Sequence, residues 1–127
     1  MPDPKDLKFT ESHEWISPDG TVGISDHAQK EITDVVFVEL PAQGTELARG
    51  KEAATIESVK AAFPIYAPCS GKVSAVNGQV NADPAVVNRS PYGEGWLFKI
   101  AMSDPRERDG LMTHGQYQEF LLSEAKH

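Results

Sequence analysis

Apolar residues in this chain come in short steps separated by glycine and proline, the rhythm of many brief strands joined by turns. "EWISPDGTVGI" (14–24) sets Trp15, Ile16, Val22 and Ile24 on either side of Pro18-Asp19-Gly20. Proline fixes φ at the first central turn position and glycine accepts positive φ at the exit, so the stretch predicts a β-hairpin. "VVFVEL" (35–40) is a nearly continuous apolar run and predicts a strand buried on much of both faces. Leu47 and "AATI" (53–56) continue the β pattern between turns marked by Gly44 and Gly50. In "FPIYAP", Pro64 and Pro68 each push the preceding residue toward extended geometry. "GKVSAVN" carries Val73 and Val76, and Asn77-Gly78 is a turn signal. "WLFKIAM" alternates, with Trp96, Phe98, Ile100 and Met102 on one face.

Helical signals are fewer. "SDHAQKEIT" predicts a short helix with Asp26 as N-cap and Gln29 three residues on. "ADPAVVN" predicts a helical turn. Near the end, Thr113 and Gln116 form a capping box, followed by an apolar stripe of Tyr117, Phe120 and Leu121. No linker, low-complexity tract or long charge block interrupts the chain. The expectation is one domain over residues 1–127, mostly β, with short peripheral helices and a C-terminal helix.

Composition narrows the function classes. The chain has 127 residues, 39% hydrophobic and 24% charged, with a formal net charge of −7. That balance argues against nucleic acid or an anionic membrane as partner, since both reward a basic surface. No apolar run approaches the roughly 20 residues that a membrane helix needs. "MPDPKDLKF" lacks the basic and apolar regions of a signal peptide. A single cysteine, Cys69, makes no internal disulfide, which points to a reducing compartment. The expected location is a bacterial-type cytoplasm, or an organelle matrix if a transit peptide is removed.

Little in the sequence supports chemistry of its own. Ser12, His13 and Glu14 have the residue types of a triad, but contiguous strand residues point to opposite faces and do not converge. Cys69 lies between Pro68 and Ser70 with no basic residue nearer than Lys72, and reads as an inert small residue in a turn. His13, His27, His114 and His127 show no metal-ligand spacing, and no glycine-rich nucleotide loop occurs.

One lysine stands out. In "TIESVKAAF" (55–63), Lys60 sits between two β segments, 53–59 and 62–67, beside the short or apolar Ser58, Val59, Ala61 and Ala62. Glu57 is the only charge near it. Two readings stay open on the residues alone. Lys60 is a solvated side chain at a hairpin tip, or it is a preorganised amine offered to an acylating enzyme. Acylation would remove its charge and give it a long arm.

"IESVKAAF" resembles the lipoylation site of the H protein family of the glycine cleavage system, in which the lysine of an E-S-V-K-A run carries lipoic acid. "SHEW" (12–15), "VGISDHAQ" (22–29), "DVVFVELPAQG" (34–44), "APCSGKV" (67–73), "PYGEGWLFKI" (91–100) and "SDP" (103–105) resemble that family's blocks in the same order. The lipoyl domains of 2-oxo-acid dehydrogenases centre instead on D-K-A, and biotin domains on M-K-M. The resemblance implies a barrel-sandwich hybrid, the lipoyl/biotinyl-type β-sandwich, with the lysine at a hairpin tip. It implies a carrier without a complete active site, bearing lipoate in amide linkage to Lys60, whose dithiolane does the chemistry. The implied partners are glycine decarboxylase (P protein), aminomethyltransferase (T protein), dihydrolipoamide dehydrogenase (L protein) and a lipoylating enzyme. An aminomethyl group would pass from the first to the second, and the third would reoxidise the dithiol. Glu57 and Gly71 match positions that matter for lipoylation, and Ser12 and Glu14 match residues lining the cleft that shelters the loaded arm. Two positions depart from the family: Glu31 stands where a histidine is frequent, and Phe63-Pro64 where an acidic or polar pair is common. Those departures keep open an H-like lipoyl protein serving lipoate assembly, relay or redox signalling. An unmodified β-sandwich interaction domain is a third reading.

Overall fold

Turn chemistry and strand pairing build two antiparallel sheets in the computed structural model, which describes residues 3–125. In chain order the elements are β1 (Lys8–Phe9), β2 (Glu14–Ile16), β3 (Thr21–Ile24), α1 (Asp26–Ile32), β4 (Val35–Glu39), β5 (Glu46–Leu47), β6 (Glu52–Ser58) and β7 (Ala62–Tyr66). They continue with β8 (Gly71–Val76), α2 (Gln79–Ala82), α3 (Val86–Arg89), β9 (Phe98–Met102), α4 (Arg106–Asp109) and α5 (His114–Ala125). One sheet has six strands in the order β1-β2-β3-β9-β8-β5, and the other has three, β4-β6-β7. This is the mostly β sandwich expected, with short helices and a C-terminal helix.

The predicted hairpin forms between β2 and β3, with Ile16 opposite Val22. Gly20 has φ +89° there, and a Cβ on it would meet the Ile100 carbonyl oxygen at 2.0 Å, so both conformation and space demand glycine. The Asp19 carboxylate closes the turn, accepting from the Ser17 hydroxyl, the Thr21 N–H (3.1 Å) and the Thr21 hydroxyl (2.8 Å).

Between the sheets lies a core that includes Ile16, Val22, Val38, Ile56, Ile65 and Phe98. Leu7, Phe9, Trp15 and Tyr117 form a second cluster under α5. Phe9 stacks on Tyr117 with centroids 4.5 Å apart, and the Trp15 indole N–H is shared by the Ile24 (2.9 Å) and Pro91 (3.1 Å) carbonyls. The capping box starts α5 as expected: the Gln116 side chain accepts from the Thr113 N–H (2.9 Å), and Thr113 Oγ1 accepts from the Gln116 N–H (3.2 Å).

Three local expectations need correction. Ser25, not Asp26, is the N-cap of α1, its hydroxyl accepting from the Ala28 N–H at 3.1 Å. Asp26 falls in the first turn, where the helix dipole favours its charge and Lys30 pairs with it at 3.1 Å. The turn expected at Asn77-Gly78 does form, with the Val80 N–H donating to the Asn77 carbonyl (3.3 Å), and it leads into α2 as Asn77 Oδ1 accepts from the Gln79 N–H (3.1 Å). Trp96 precedes β9 rather than sharing its face. It is half-buried against the second cluster, with the Lys99 ammonium 5.9 Å from its ring centroid. Finally, β4 is not buried on both faces. A bulge between Val35 and Phe37 leaves Val36 and Phe37 both facing solvent. His127 lies outside the described residues.

A lysine tip and the groove beside it

Ser58 builds the turn that carries Lys60. Its hydroxyl accepts from the Lys60 N–H (3.1 Å) and the Ala61 N–H (3.2 Å), while the Ser58 N–H donates to the Ala61 carbonyl (2.8 Å). The Val59 N–H reaches across to the Asp34 carbonyl at 3.1 Å, pinning the tip to the approach to β4. With its backbone so tied, the turn presents Lys60 from a fixed position. Its side chain is exposed, yet the ammonium leans back and donates to the Glu31 carbonyl at 2.8 Å. That carbonyl belongs to the last turn of α1, where acceptors lack intrahelical donors and the dipole favours a cation. No sequence pattern links residues 31 and 60, so this contact was out of reach of sequence reasoning.

Beside the tip opens a groove of about 530 Å³. Ile24, Ala28, Ile32 and Ile65 form its floor, Phe63, Pro64 and Leu121 wall it, and Ser12, His13, His27, Glu31 and Glu124 supply the polar contacts. The three residues expected in a cleft divide here. Ser12 and Glu31 line the groove. Glu14, 1% exposed, sits behind Ser12, taking hydrogen bonds from the Thr10 hydroxyl (2.6 Å), the Ser12 hydroxyl (2.5 Å) and the Tyr66 N–H (3.2 Å). Its role in the geometry is to hold Ser12. Glu31 is 3.6 Å from His27 Nε2, one helical turn before it.

His13 is a groove residue whose sequence context suggested only a triad or a metal ligand, both rejected there. It has φ +78° and precedes β2, so strand alternation does not govern it, and it faces the groove together with Ser12. No triad results, because Ser12 bonds to Glu14 while His13 Nδ1 bonds to Tyr117 Oη at 2.8 Å. Tyr117 Oη also bonds to Ser25 Oγ at 2.6 Å. Burial, and then the nearby His27, hold the His13 imidazole below its ordinary range. Burial pushes the Tyr117 phenol up to about 12.

Glu57 and Gly71 lie elsewhere. Glu57 is exposed on β6 between Phe37 and Ala62 of the neighbouring strands, three residues before Lys60. Gly71 belongs to the six-stranded sheet, between Leu47 and Met102. A Cβ there would meet the Ala101 carbonyl oxygen at 2.3 Å and Ile100 Cγ2 at 2.5 Å, which gives Gly71 a packing reason of its own. Cys69 is fully buried and its thiol is pushed up to about 11 by desolvation, well away from a thiolate nucleophile. Among the described residues, no three His, Cys, Asp or Glu side chains gather as metal ligands, and no helix is long and apolar enough to cross a membrane.

The groove's apolar floor suits an alkyl chain and its carboxylate rim a cationic end group, and exposed Lys60 stands at its edge, bonded to the Glu31 carbonyl. Fold and tip together define a class: a small β-sandwich carrier domain that displays one lysine on a braced hairpin turn. The model of the Glycine cleavage H-protein family matches residues 7–124. The chain is 49% identical over 121 residues to the glycine cleavage system H protein of Parvibaculum lavamentivorans, covering 93% of this chain and 97% of that one. It is 52% identical over 122 residues to the protein of that name from Legionella pneumophila strain Corby, covering 94% and 98%. The crystal structure of a glycine cleavage system H protein from Mycobacterium marinum superposes with a TM-score of 0.84 at 32% identity, covering 97% and 99%. The chain belongs to the glycine cleavage H-protein family.

Proposed function

We propose that this protein is the lipoyl-bearing carrier of a glycine cleavage system, with lipoate joined to Nζ of Lys60 through an amide. The observation that carries the reading is the pairing of a rigidly presented, exposed lysine with an apolar, carboxylate-rimmed groove in a member of this family. Lipoate on Lys60 would supply a disulfide that accepts an aminomethyl group and is reduced in doing so. The chain's own residues present, shelter and release. Ser58 fixes the tip, so that partners meet the arm's root in one place. The groove floor keeps water from whatever lies against it, and Glu31 and Glu124 offer negative charge to a cationic amine. Ser12, held by Glu14, offers a hydroxyl there, and the neutral imidazole of His13 adds a polar contact without adding positive charge. Glu57 and Gly71 contribute to acceptance by the lipoylating enzyme, the first directly and the second through the packing of β8 against β9.

As a carrier the protein has no complete active site. It serves glycine decarboxylase, aminomethyltransferase and dihydrolipoamide dehydrogenase in turn, and tethering makes each delivery effectively intramolecular once a partner is docked. The whole chain acts as one domain, in a bacterial cytoplasm or a mitochondrial matrix. Lipoate assembly, relay or redox signalling is the less favoured reading, because the matching family model and the similar relatives are those of the glycine cleavage system. Glycine–bicarbonate exchange with purified decarboxylase tests the choice. Lipoylated protein should support exchange far above the unlipoylated form, and equal rates would sink the glycine-cleavage assignment.

A further inference from the structure

The outer face of the three-stranded sheet carries apolar surface that the fold does not use. Val36 and Phe37, turned out by the bulge in β4, are 53% and 47% exposed, and Val59, beside Lys60, is 69% exposed. Pairing joins them into one patch: Phe37 lies opposite Glu57, Val35 opposite Ser58, and the Val59 N–H is bonded to Asp34. None of the three lines the groove. The free edge of β4 is closed to strand addition, since Asn88 Oδ1 accepts from the Val35 N–H (3.0 Å) and Asn81 Nδ2 donates to the Val38 carbonyl (2.7 Å). On the β4 side a partner must therefore pack on the face rather than add a strand. Asp34, Glu39 and Glu57 are exposed around the patch, and segments 34–39 and 55–62 hold no cation except Lys60. The complementary surface has an apolar centre and a basic rim.

We propose that Val36, Phe37 and Val59, framed by Asp34, Glu39 and Glu57, form the docking surface of the enzyme that acylates Lys60. This rests on the lipoyl-carrier reading above. The occupant follows from reach. An acylating enzyme must bring its own groups to Nζ, one side chain from the backbone of the tip, so its surface lands on the strands beside it. Partners that act at the far end of an arm have no such need. In the step itself the Lys60 nitrogen leaves the Glu31 carbonyl, loses a proton and attacks the carbonyl carbon of an acyl adenylate. The C–N bond forms, the C–O bond to phosphate breaks, AMP departs with the electron pair, and the nitrogen gives up a second proton to water.

Lipoylation by a lipoate–protein ligase, with lipoate and ATP, provides the test, followed by intact mass and analysed for kcat and KM. The double variant Val36→Ser/Phe37→Ser should raise KM about tenfold or more with kcat within about twofold, as removal of an interface anchor does. Leu122→Ser, at an apolar site on α5 that is more exposed still, should change neither. Asp34→Lys/Glu39→Lys should raise KM and flatten its dependence on salt, and gives a second reading should the serine pair melt early. Unchanged KM in both double variants while the wild type is modified at Lys60 overturns the docking surface and leaves the carrier reading intact. A wild type that takes no lipoyl group at Lys60 overturns both. If light scattering finds a wild-type dimer that Val36→Ser/Phe37→Ser dissociates, the face is a self-contact and the proposal fails.

Discussion

Phe9 and Phe37 both sit on short strands near one end of a sheet, and their surroundings are opposite. Phe9 is fully buried and stacked on Tyr117 in the α5 cluster, where the buried side-chain polar groups have internal partners. The Trp15 N–H has two carbonyls, and Tyr117 Oη joins His13 to Ser25. Phe37 stands 47% exposed in a region whose backbone is braced by Ser58, Asn81 and Asn88 while its side chains are left unspent. The α5 cluster satisfies its groups internally and supplies stability. The three-stranded sheet fixes its backbone and leaves Val36, Phe37 and Val59 uncovered.

Substitutions in the two regions should therefore separate folding from modification. The largest loss is expected at Trp15→Ala, about 3–5 kcal/mol for a fully buried aromatic with satisfied hydrogen bonds. Trp96→Ala, at the half-buried rim of the same cluster, should cost less than half of that. Chemical denaturation measures both, and equal losses would erase the contrast between them. Gly71→Ala comes next, at roughly 1–3 kcal/mol, because its Cβ would overlap the Ala101 carbonyl. Lipoylation of that variant should fall with the folded fraction, whereas Glu57→Ala should lower lipoylation with an unmoved melting curve. A stable Gly71→Ala that still resists the ligase would return Gly71 to direct recognition.

The smallest effect concerns pH. Hydrogen bonds from Ser17 and Thr21 pull Asp19 from an ordinary 3.8 to about 2. A carboxylate with a lowered folded pKa adds stability above its unfolded pKa and loses it as the pH falls through the folded one. Asp19 is largely exposed, so screening reduces the contribution to about 0.5 kcal/mol. The stability gap between wild type and Asp19→Asn should be present at pH 6 and close between pH 4 and 2. A gap that persists unchanged at pH 2 would contradict the turn assignment.

Much of this was legible in the sequence where a local rule decides the outcome. Pro18-Asp19-Gly20 marked its hairpin, Thr113-Gln116 its cap, and the "ESVKA" run placed Lys60 between two strands. The failures share a cause, which is contact between distant residues. "VVFVEL" reads as buried from hydropathy, but the bulge that exposes Val36 and Phe37 is set by pairing with β6, twenty residues on. Alternation put Trp96 in line with Phe98, although β9 begins only where β8 and β3 offer partners. At the site, the residues of the groove come from before β2, from α1, from β7 and from α5, so only their positions on a folded chain reveal that His13 and His27 belong with Ser12 and Glu31.

The proposed carrier role places the arm on one atom, Nζ of Lys60, and intact mass tests that placement directly. Protein purified from its native host, or from a lipoylation-competent cell, should carry a single lipoyl increment that vanishes in Lys60→Ala while the melting curve stays put. An unshifted mass in such a cell, or an increment that survives Lys60→Ala, would contradict the account.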